Sequence, residues 1–219
     1  MSRNTERNYR WACRVLRFIC RLNGTQIIGA ENIPENEPLL VISNHTSLAD
    51  PPIISSYYPN RITYLAKEGF SRKPFTRWLF SALGAVFLNK DDGDLAAMRV
   101  ALKELKEGRS VGIFPEGHRY FDQKMGEFHE GAAFIAYRAR VRVLPMAVVN
   151  AADYLRLFRR NIRLVIGEPF PVPEGKADRE ALAGATAAYK ERVAQLFETG
   201  AESVRAAGRP MYTTDKINK

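Results

Sequence analysis

From residue 25 onward, short apolar runs alternate with longer stretches in which apolar residues recur every three or four positions. The short runs predict strands at 25–29, 39–43 (Leu-Leu-Val-Ile-Ser), 61–66, 85–88, 110–114 (Ser-Val-Gly-Ile-Phe), 143–149 and 162–166. The longer stretches predict helices at 51–58, 74–82, 94–107 and 129–139. A final long helix at about 178–207 carries Leu182, Ala185, Tyr189, Val193 and Leu196 on one face. Strands alternating with helices predict an α/β fold, a single domain with a mostly parallel central sheet flanked by helices. Pro169, Pro171 and Pro173 mark a turn-rich connector within that domain.

The first twenty-two residues follow a different pattern. Arginines fall at 3, 7, 10, 14, 17 and 21, and on a helix they share one stripe. Trp11, Ala12, Val15, Leu16, Phe18, Ile19 and Leu22 lie round the other side, so the segment predicts a basic amphipathic helix. Three readings stand side by side: a helix packed on the core with solvated arginines, an interfacial helix lying on anionic lipid, and an organelle presequence. The expected organisation is an N-terminal helix over 1–24 serving as a membrane-surface anchor, a domain over 25–207 and a polar tail over 208–219.

Composition sharpens this picture at two points. With 33 Lys and Arg against 24 Asp and Glu, the formal charge of +9 favours an anionic partner. Residues 1–22 hold six Arg and one Glu, and 154–163 add Arg156, Arg159, Arg160 and Arg163 among Tyr154, Leu155, Leu157 and Phe158. Charge interleaved with apolar residues in this way suits a surface that touches anionic lipid. The only cysteines are Cys13 and Cys20, which on a helix lie roughly 10 Å apart along the axis, too far for a bridge. A reducing cytoplasm fits that usage. The longest apolar run, 78–88, has eleven residues with Ser81 and Gly84 among them. A bilayer span needs about 20, so the expectation is a peripheral (monotopic) protein on the cytoplasmic face of the membrane.

Two places at the expected carboxyl ends of strands carry candidate chemistry. After 39–43 comes Asn44-His45-Thr46-Ser47-Leu48-Ala49-Asp50. An imidazole can take a proton from a hydroxyl when a carboxylate such as Asp50 holds its other ring nitrogen. The same Asp50-Pro51-Pro52 also reads as a plain helix start, with Asp50 as N-cap. After 110–114 comes Phe114-Pro115-Glu116-Gly117-His118-Arg119, where Arg119 can grip a phosphate through paired hydrogen bonds or make a surface pair with Glu116.

Together, Asn44-His45-x-x-x-x-Asp50 and, seventy residues on, Phe114-Pro115-Glu116-Gly117-x-Arg119 resemble the glycerolipid acyltransferase family, whose best-known branch is the 1-acylglycerol-3-phosphate (lysophosphatidic acid) acyltransferases. Gly84-Ala85-Val86-Phe87-Leu88-Asn89-Lys90 and Val143-Leu144-Pro145-Met146-Ala147-Val148 look like two weaker blocks of that family, in order. The resemblance implies that His45 deprotonates an acceptor hydroxyl and that Asp50 orients it. The hydroxyl would attack the thioester of acyl-coenzyme A or acyl carrier protein, without an acyl-enzyme step. Arg119 and Lys90 would hold the acceptor's phosphate, Glu116 would position the acceptor or order the loop, and Asn44 and Gly117 would complete the substrate contacts. Phe75, Trp78 and Leu79, with Phe70, Phe80 and Leu83 nearby, are candidates for an acyl groove or for ordinary core. No cofactor and no metal are expected, since the three histidines lack zinc-ligand spacing.

Lys90 stands where the family usually has Arg, His118 replaces a small hydroxyl residue, and His129-Glu130 stands where many members have basic residues. These departures bear on the acceptor. The expected substrate is 1-acylglycerol-3-phosphate, with a lyso-amino-acid lipid or glycerol-3-phosphate as alternatives. A non-catalytic basic protein binding membrane or nucleic acid is the reading from another class. No zinc-finger, RNP or GXXG pattern supports nucleic acid, which is not expected as a partner.

Overall fold

A computed structural model describes residues 3–67, 80–88, 93–120, 123–155 and 161–211. Among them seven strands form one sheet: β1 (Gln26–Ile28), β2 (Leu40–Ser43), β3 (Ile62–Lys67), β4 (Ala85–Leu88), β5 (Ser110–Ile113), β6 (Val143–Val149) and β7 (Arg163–Ile166). Their order is β1-β7-β6-β2-β5-β3-β4. Each predicted strand has its counterpart, shifted by no more than about a residue at either end. The helices are α1 (Arg3–Leu22), α2 (Asp50–Tyr57), α3 (Gly93–Lys106), α4 (Gly131–Ala139) and α5 (Arg179–Ala206). Of the helix expected at 74–82, residues 80–82 are helical and the rest lies outside the described residues.

The burial pattern explains the sheet. β2 and β6 are buried at every position, which matches their nearly continuous apolar sequences and their place at its centre. On one face α1 and α2 pack against Val41, Tyr64, Leu144, Met146 and Leu164 through Cys13, Leu16, Cys20, Ile53 and Ile54. On the other, Ala101 and Leu105 of α3, Ala132 and Ala136 of α4, and Tyr189 and Val193 of α5 cover Leu40, Ile42, Val111 and Val143. The pairing is parallel throughout except between β6 and β7, which run antiparallel with Met146 opposite Ile166. The described part of their connection holds only a short 3-10 turn at Ala151–Leu155, and reversal needs no crossover helix.

The N-terminal helix resolves into three faces. Tyr9, Ala12, Cys13, Leu16 and Cys20 are buried against α2 and the sheet. Arg17 donates from Nε to the Ser56 carbonyl at 2.6 Å and lies over the Tyr57 ring, which ties α1 to the last turn of α2. Arg7, Arg10, Arg14 and Arg21 are exposed. Between the arginines and the far edge of the buried face runs a second apolar stripe of Trp11, Val15, Phe18 and Leu22, with Trp11 58% and Phe18 62% exposed. One face of the helix is therefore packed on the core, and a separate apolar stripe stays exposed. No helix among the described residues is long and apolar enough to cross a membrane.

Arg163 departs from the expected basic surface. It is 1% exposed in β7, donates from Nε to Ser203 Oγ of α5 at 3.0 Å, and takes no part in a lipid-facing patch. Burial pulls its pKa down from the usual guanidinium value. Arg156, Arg159 and Arg160 lie outside the described residues.

Candidate active site

The central strand β2 has parallel neighbours on both sides, β5 and β6, so three carboxyl ends meet at one edge. The helix after β2 covers one face of the sheet and the helix after β5 covers the other. The crevice between these ends is a topological switch point, where open α/β sheets bind ligands.

His45 leaves the end of β2 and Asp50 opens α2. His45 Nδ1 lies 2.8 Å from Asp50 Oδ2. The same carboxylate oxygen accepts from the Thr46 N–H at 2.7 Å and the Ser47 N–H at 2.8 Å, and Asp50 is wholly buried. Asp50 is the first residue of α2 and does not cap it: Ala49 holds the N-cap position, and Pro51-Pro52 fill the first turn, where no N–H is required. The carboxylate thus points back into the loop, with the helix N-terminus favouring its negative charge. A carboxylate at Nδ1 accepts the proton carried there, which in a neutral ring leaves Nε2 as the acceptor, and among the described residues nothing bonds Nε2. The His45 side chain keeps 17% of its surface exposed, enough for a hydroxyl to reach it.

The backbone and ring of His45 are held as firmly. Its N–H donates to Glu116 Oε1 at 2.8 Å, and its carbonyl accepts from the Tyr120 N–H at 2.8 Å. The ring stacks on Phe114 with centroids 4.1 Å apart and planes 19° from parallel. Tyr64 also stacks on Phe114, with centroids 5.9 Å apart. Gly112 makes room for this column: a Cβ there would lie 2.3 Å from Tyr64 Cε1. An imidazolium facing an aromatic ring is favoured over one facing an aliphatic wall.

Glu116 is 1% exposed and fastens two loops together, its Oε2 accepting from the Gly126 N–H at 2.9 Å. Burial pushes its carboxyl pKa up, against the opposing pull of these two N–H donors. Both oxygens are occupied by backbone, so of the two tasks expected of Glu116 its geometry supports ordering the loop. Gly117 stands at φ +70°, where an L side chain is strained, and a Cβ there would press on the His129 ring at 3.3 Å. Arg119 is half-buried and immediately precedes Tyr120, so the bond from Tyr120 to His45 fixes the guanidinium-bearing segment beside the imidazole loop.

Asn44, expected among the substrate contacts, is held by the backbone of β6. It is 2% exposed, its Nδ2 donates to the Val148 carbonyl at 3.0 Å and its Oδ1 accepts from the Val148 N–H at 2.8 Å. The amide locks the end of β2 to β6 and leaves little for a ligand. Lys90, Phe70, Phe75, Trp78 and Leu79 lie outside the described residues, while Phe80 and Leu83 are buried, Leu83 within the core under α1 and α2. Cys13 and Cys20 are buried on the inner face of α1, and burial pushes both thiols up, away from the reactive thiolate. Among the described residues no group of three or more His, Cys, Asp or Glu is arranged to hold a metal. Sequence reasoning missed the aromatic column and the hydrogen bonds between the two loops, because neither has a spacing signature.

Fold and site place the chain among α/β proteins that carry their chemistry on the carboxyl edge of a parallel sheet. It belongs to the Acyltransferase family, whose model matches residues 24–149. A 1-acyl-sn-glycerol-3-phosphate acyltransferase of Borreliella burgdorferi is 32% identical over 145 residues, 64% of this chain and 57% of that protein. One of Bacillus subtilis is 25% identical over 193 residues, 86% of this chain and 96% of that protein. A lyso-ornithine lipid O-acyltransferase of Pseudomonas aeruginosa is 30% identical over 142 residues, 64% and 51% of the two chains. The chain spans roughly half the length of several curated relatives that it matches. The crystal structure of the 1-acyl-sn-glycerophosphate (LPA) acyltransferase PlsC from Thermotoga maritima superposes with a TM-score of 0.66 at 24% identity, covering 94% of this chain and 85% of that one. That likeness establishes the fold.

Proposed function

We propose that the protein moves a fatty acyl group from an acyl-thioester, of coenzyme A or acyl carrier protein, to the free hydroxyl of 1-acylglycerol-3-phosphate, giving phosphatidic acid. The observation that carries this reading is the His45–Asp50 pair with a bare, reachable Nε2. His45 Nε2 takes the acceptor's hydroxyl proton as the oxygen attacks the thioester carbonyl. The buried Asp50 carboxylate stabilises the imidazolium that forms. When the tetrahedral intermediate collapses, the carbon–sulfur bond breaks, the ester forms, and the imidazolium returns the proton to the leaving thiolate. Arg119 holds the acceptor's phosphate, with Lys90 as the expected second cation. The buried Cys13 and Cys20 thiols agree with direct transfer.

The acceptor assignment has its own test. Arg119→Ala is expected to raise the KM for 1-acylglycerol-3-phosphate by about tenfold or more, the cost of one charge-assisted contact, with the KM for the thioester little changed. A rise confined to the thioester would remove Arg119 from the acceptor site. A lyso-amino-acid lipid remains the second reading, favoured by His118 and His129 on the Arg119 loop and by the Pseudomonas aeruginosa relative. Steady-state rates with a panel of acceptors and one thioester separate the two.

The same reading places the reaction at an anionic membrane surface. The Trp11–Val15–Phe18–Leu22 stripe, bordered by exposed arginines, is built to lie in the lipid interface with its charges at the headgroups. Burying one large apolar side chain is worth roughly 1.5–3 kcal/mol. Trp11→Ser with Phe18→Ser is therefore expected to weaken partitioning onto vesicles containing anionic lipid by at least about tenfold, with Tm unchanged because both side chains face solvent. Equal partitioning of variant and wild type would remove the stripe from the membrane contact.

A further inference from the structure

The Arg119 loop is anchored to β2 through His45, and a second anchor reaches it from β6. Gln123 Nε2 donates to Asn150 Oδ1 at 2.9 Å, and the Asn150 N–H donates to Gln123 Oε1 at 2.8 Å. Each side chain thus satisfies the other residue, the arrangement that fixes one relative position most sharply. Both residues adopt left-handed backbone, Gln123 at φ 58° and Asn150 at φ 60°. Asn tolerates that region, whereas Gln enters it seldom unless its surroundings hold it there.

Asn150 is 1% exposed and lies at the end of β6, two residues past the Val148 backbone that Asn44 grips. Its Nδ2 donates to the Asn161 carbonyl at 3.3 Å and the Pro210 carbonyl at 3.2 Å, so β6, the approach to β7 and the segment after α5 converge on one side chain. At the other end of the loop, the Tyr120 N–H bonds the His45 carbonyl and the Gln123 N–H bonds the Tyr120 carbonyl at 3.3 Å. The Tyr120 ring lies so close over Gly126 that a Cβ there would fall 2.0 Å from Tyr120 Cε2. Arg119 therefore sits on a segment pinned on one side to the strand that presents the imidazole and on the other to β6.

We infer that Gln123 and Asn150 are positioning residues that set the reach of Arg119 toward the acceptor's anionic group, so that the pair controls acceptor affinity separately from the His45–Asp50 base. This rests on the reading of Arg119 as the phosphate contact. Neither residue is assigned a contact with substrate. Each acts by holding the loop at one distance from His45.

The test is steady-state kinetics on the full chain, varying 1-acylglycerol-3-phosphate and acyl-thioester independently, for wild type, Gln123→Ala, Gln123→Met and Arg119→Ala. Loss of the two reciprocal bonds is expected to raise the acceptor KM by roughly tenfold in both Gln123 variants, with the thioester KM and the pH dependence of kcat unchanged. Turnover of a neutral 1-acylglycerol, which lacks the phosphate, should not respond. Adding Gln123→Ala to Arg119→Ala should raise the acceptor KM no further, since the latch acts through the arginine. Should Arg119→Ala raise the acceptor KM while both Gln123 variants keep the wild-type value, the latch is wrong and the phosphate assignment stands. If Arg119→Ala itself leaves the acceptor KM unchanged, both fall. A Gln123 effect that falls equally on acceptor, thioester and Tm means general destabilisation and also overturns the inference.

Discussion

His45→Ala is expected to lower the rate of acyl transfer by at least about 10²-fold, the lower end of what a positioned general base supplies, while the protein stays folded. The fold should survive because the interactions that organise the loop do not pass through the imidazole. The His45 N–H to Glu116 and the bond from the Tyr120 N–H to the His45 carbonyl are backbone contacts that alanine keeps. Asp50 would still accept from the N–H groups of Thr46 and Ser47. The changes are confined to the proton acceptor, its bond to Asp50 Oδ2 and one face of Phe114. Rates of product formation together with thermal unfolding of the variant check both halves. Undiminished turnover in a folded variant would remove His45 from the mechanism.

The second large effect concerns Glu116, whose value lies in having two acceptor oxygens at one point. A glutamine there presents one carbonyl oxygen and one NH2 group, so either the His45 N–H or the Gly126 N–H is left facing a donor. A buried N–H without a partner costs about 1–3 kcal/mol. For a chain of this length each kcal/mol moves Tm by roughly 2–4 °C. Glu116→Gln is thus expected to lower Tm by several degrees. It should also lower activity by more than about tenfold, because the loop bearing Arg119 and the loop bearing His45 lose their common fastening. Differential scanning fluorimetry beside an activity assay gives both numbers. A variant matching wild type in both would mean that the two loops are held together by other contacts.

These two residues mark how far the sequence could be read. The strand positions were accessible because buried strands such as Leu-Val-Ile-Ser at β2 and Val-Leu-Pro-Met-Ala-Val-Val at β6 are almost wholly apolar, and their turn residues bound them. The antiparallel β6–β7 pairing was not, since a strand's direction leaves no mark in its own composition. The His45–Asp50 spacing was visible as a motif, and the structure supplies the reason for it: a helix that starts at Asp50 turns its first carboxylate back to the residue five before it. Glu116 was visible as a charge but not as a fastening, because its partners are backbone N–H groups and every residue but proline offers one.

The N-terminal helix and the basic excess teach the same point in reverse. A helical wheel separates arginines from apolar residues, but it does not tell which apolar arc finds a partner. Tyr9, Cys13, Leu16 and Cys20 found α2 and the sheet, whereas Trp11, Val15, Phe18 and Leu22 did not. Arg163 counted toward a basic surface by sequence and is buried against α5 in the fold. Net charge constrains the class of partner, and only burial says which charges can meet it.

The reaction proposed for the chain joins an acyl group from a thioester to the hydroxyl of 1-acylglycerol-3-phosphate. Its most direct measurement is mass spectrometry of the products formed from isotope-labelled 1-acylglycerol-3-phosphate on anionic vesicles, with acyl-coenzyme A and acyl carrier protein thioesters offered in turn. Labelled phosphatidic acid and free thiol should appear one for one with at least one donor, and both should vanish in His45→Ala. Thioester loss without labelled phosphatidic acid, or no reaction of this acceptor with either donor, would contradict the claim.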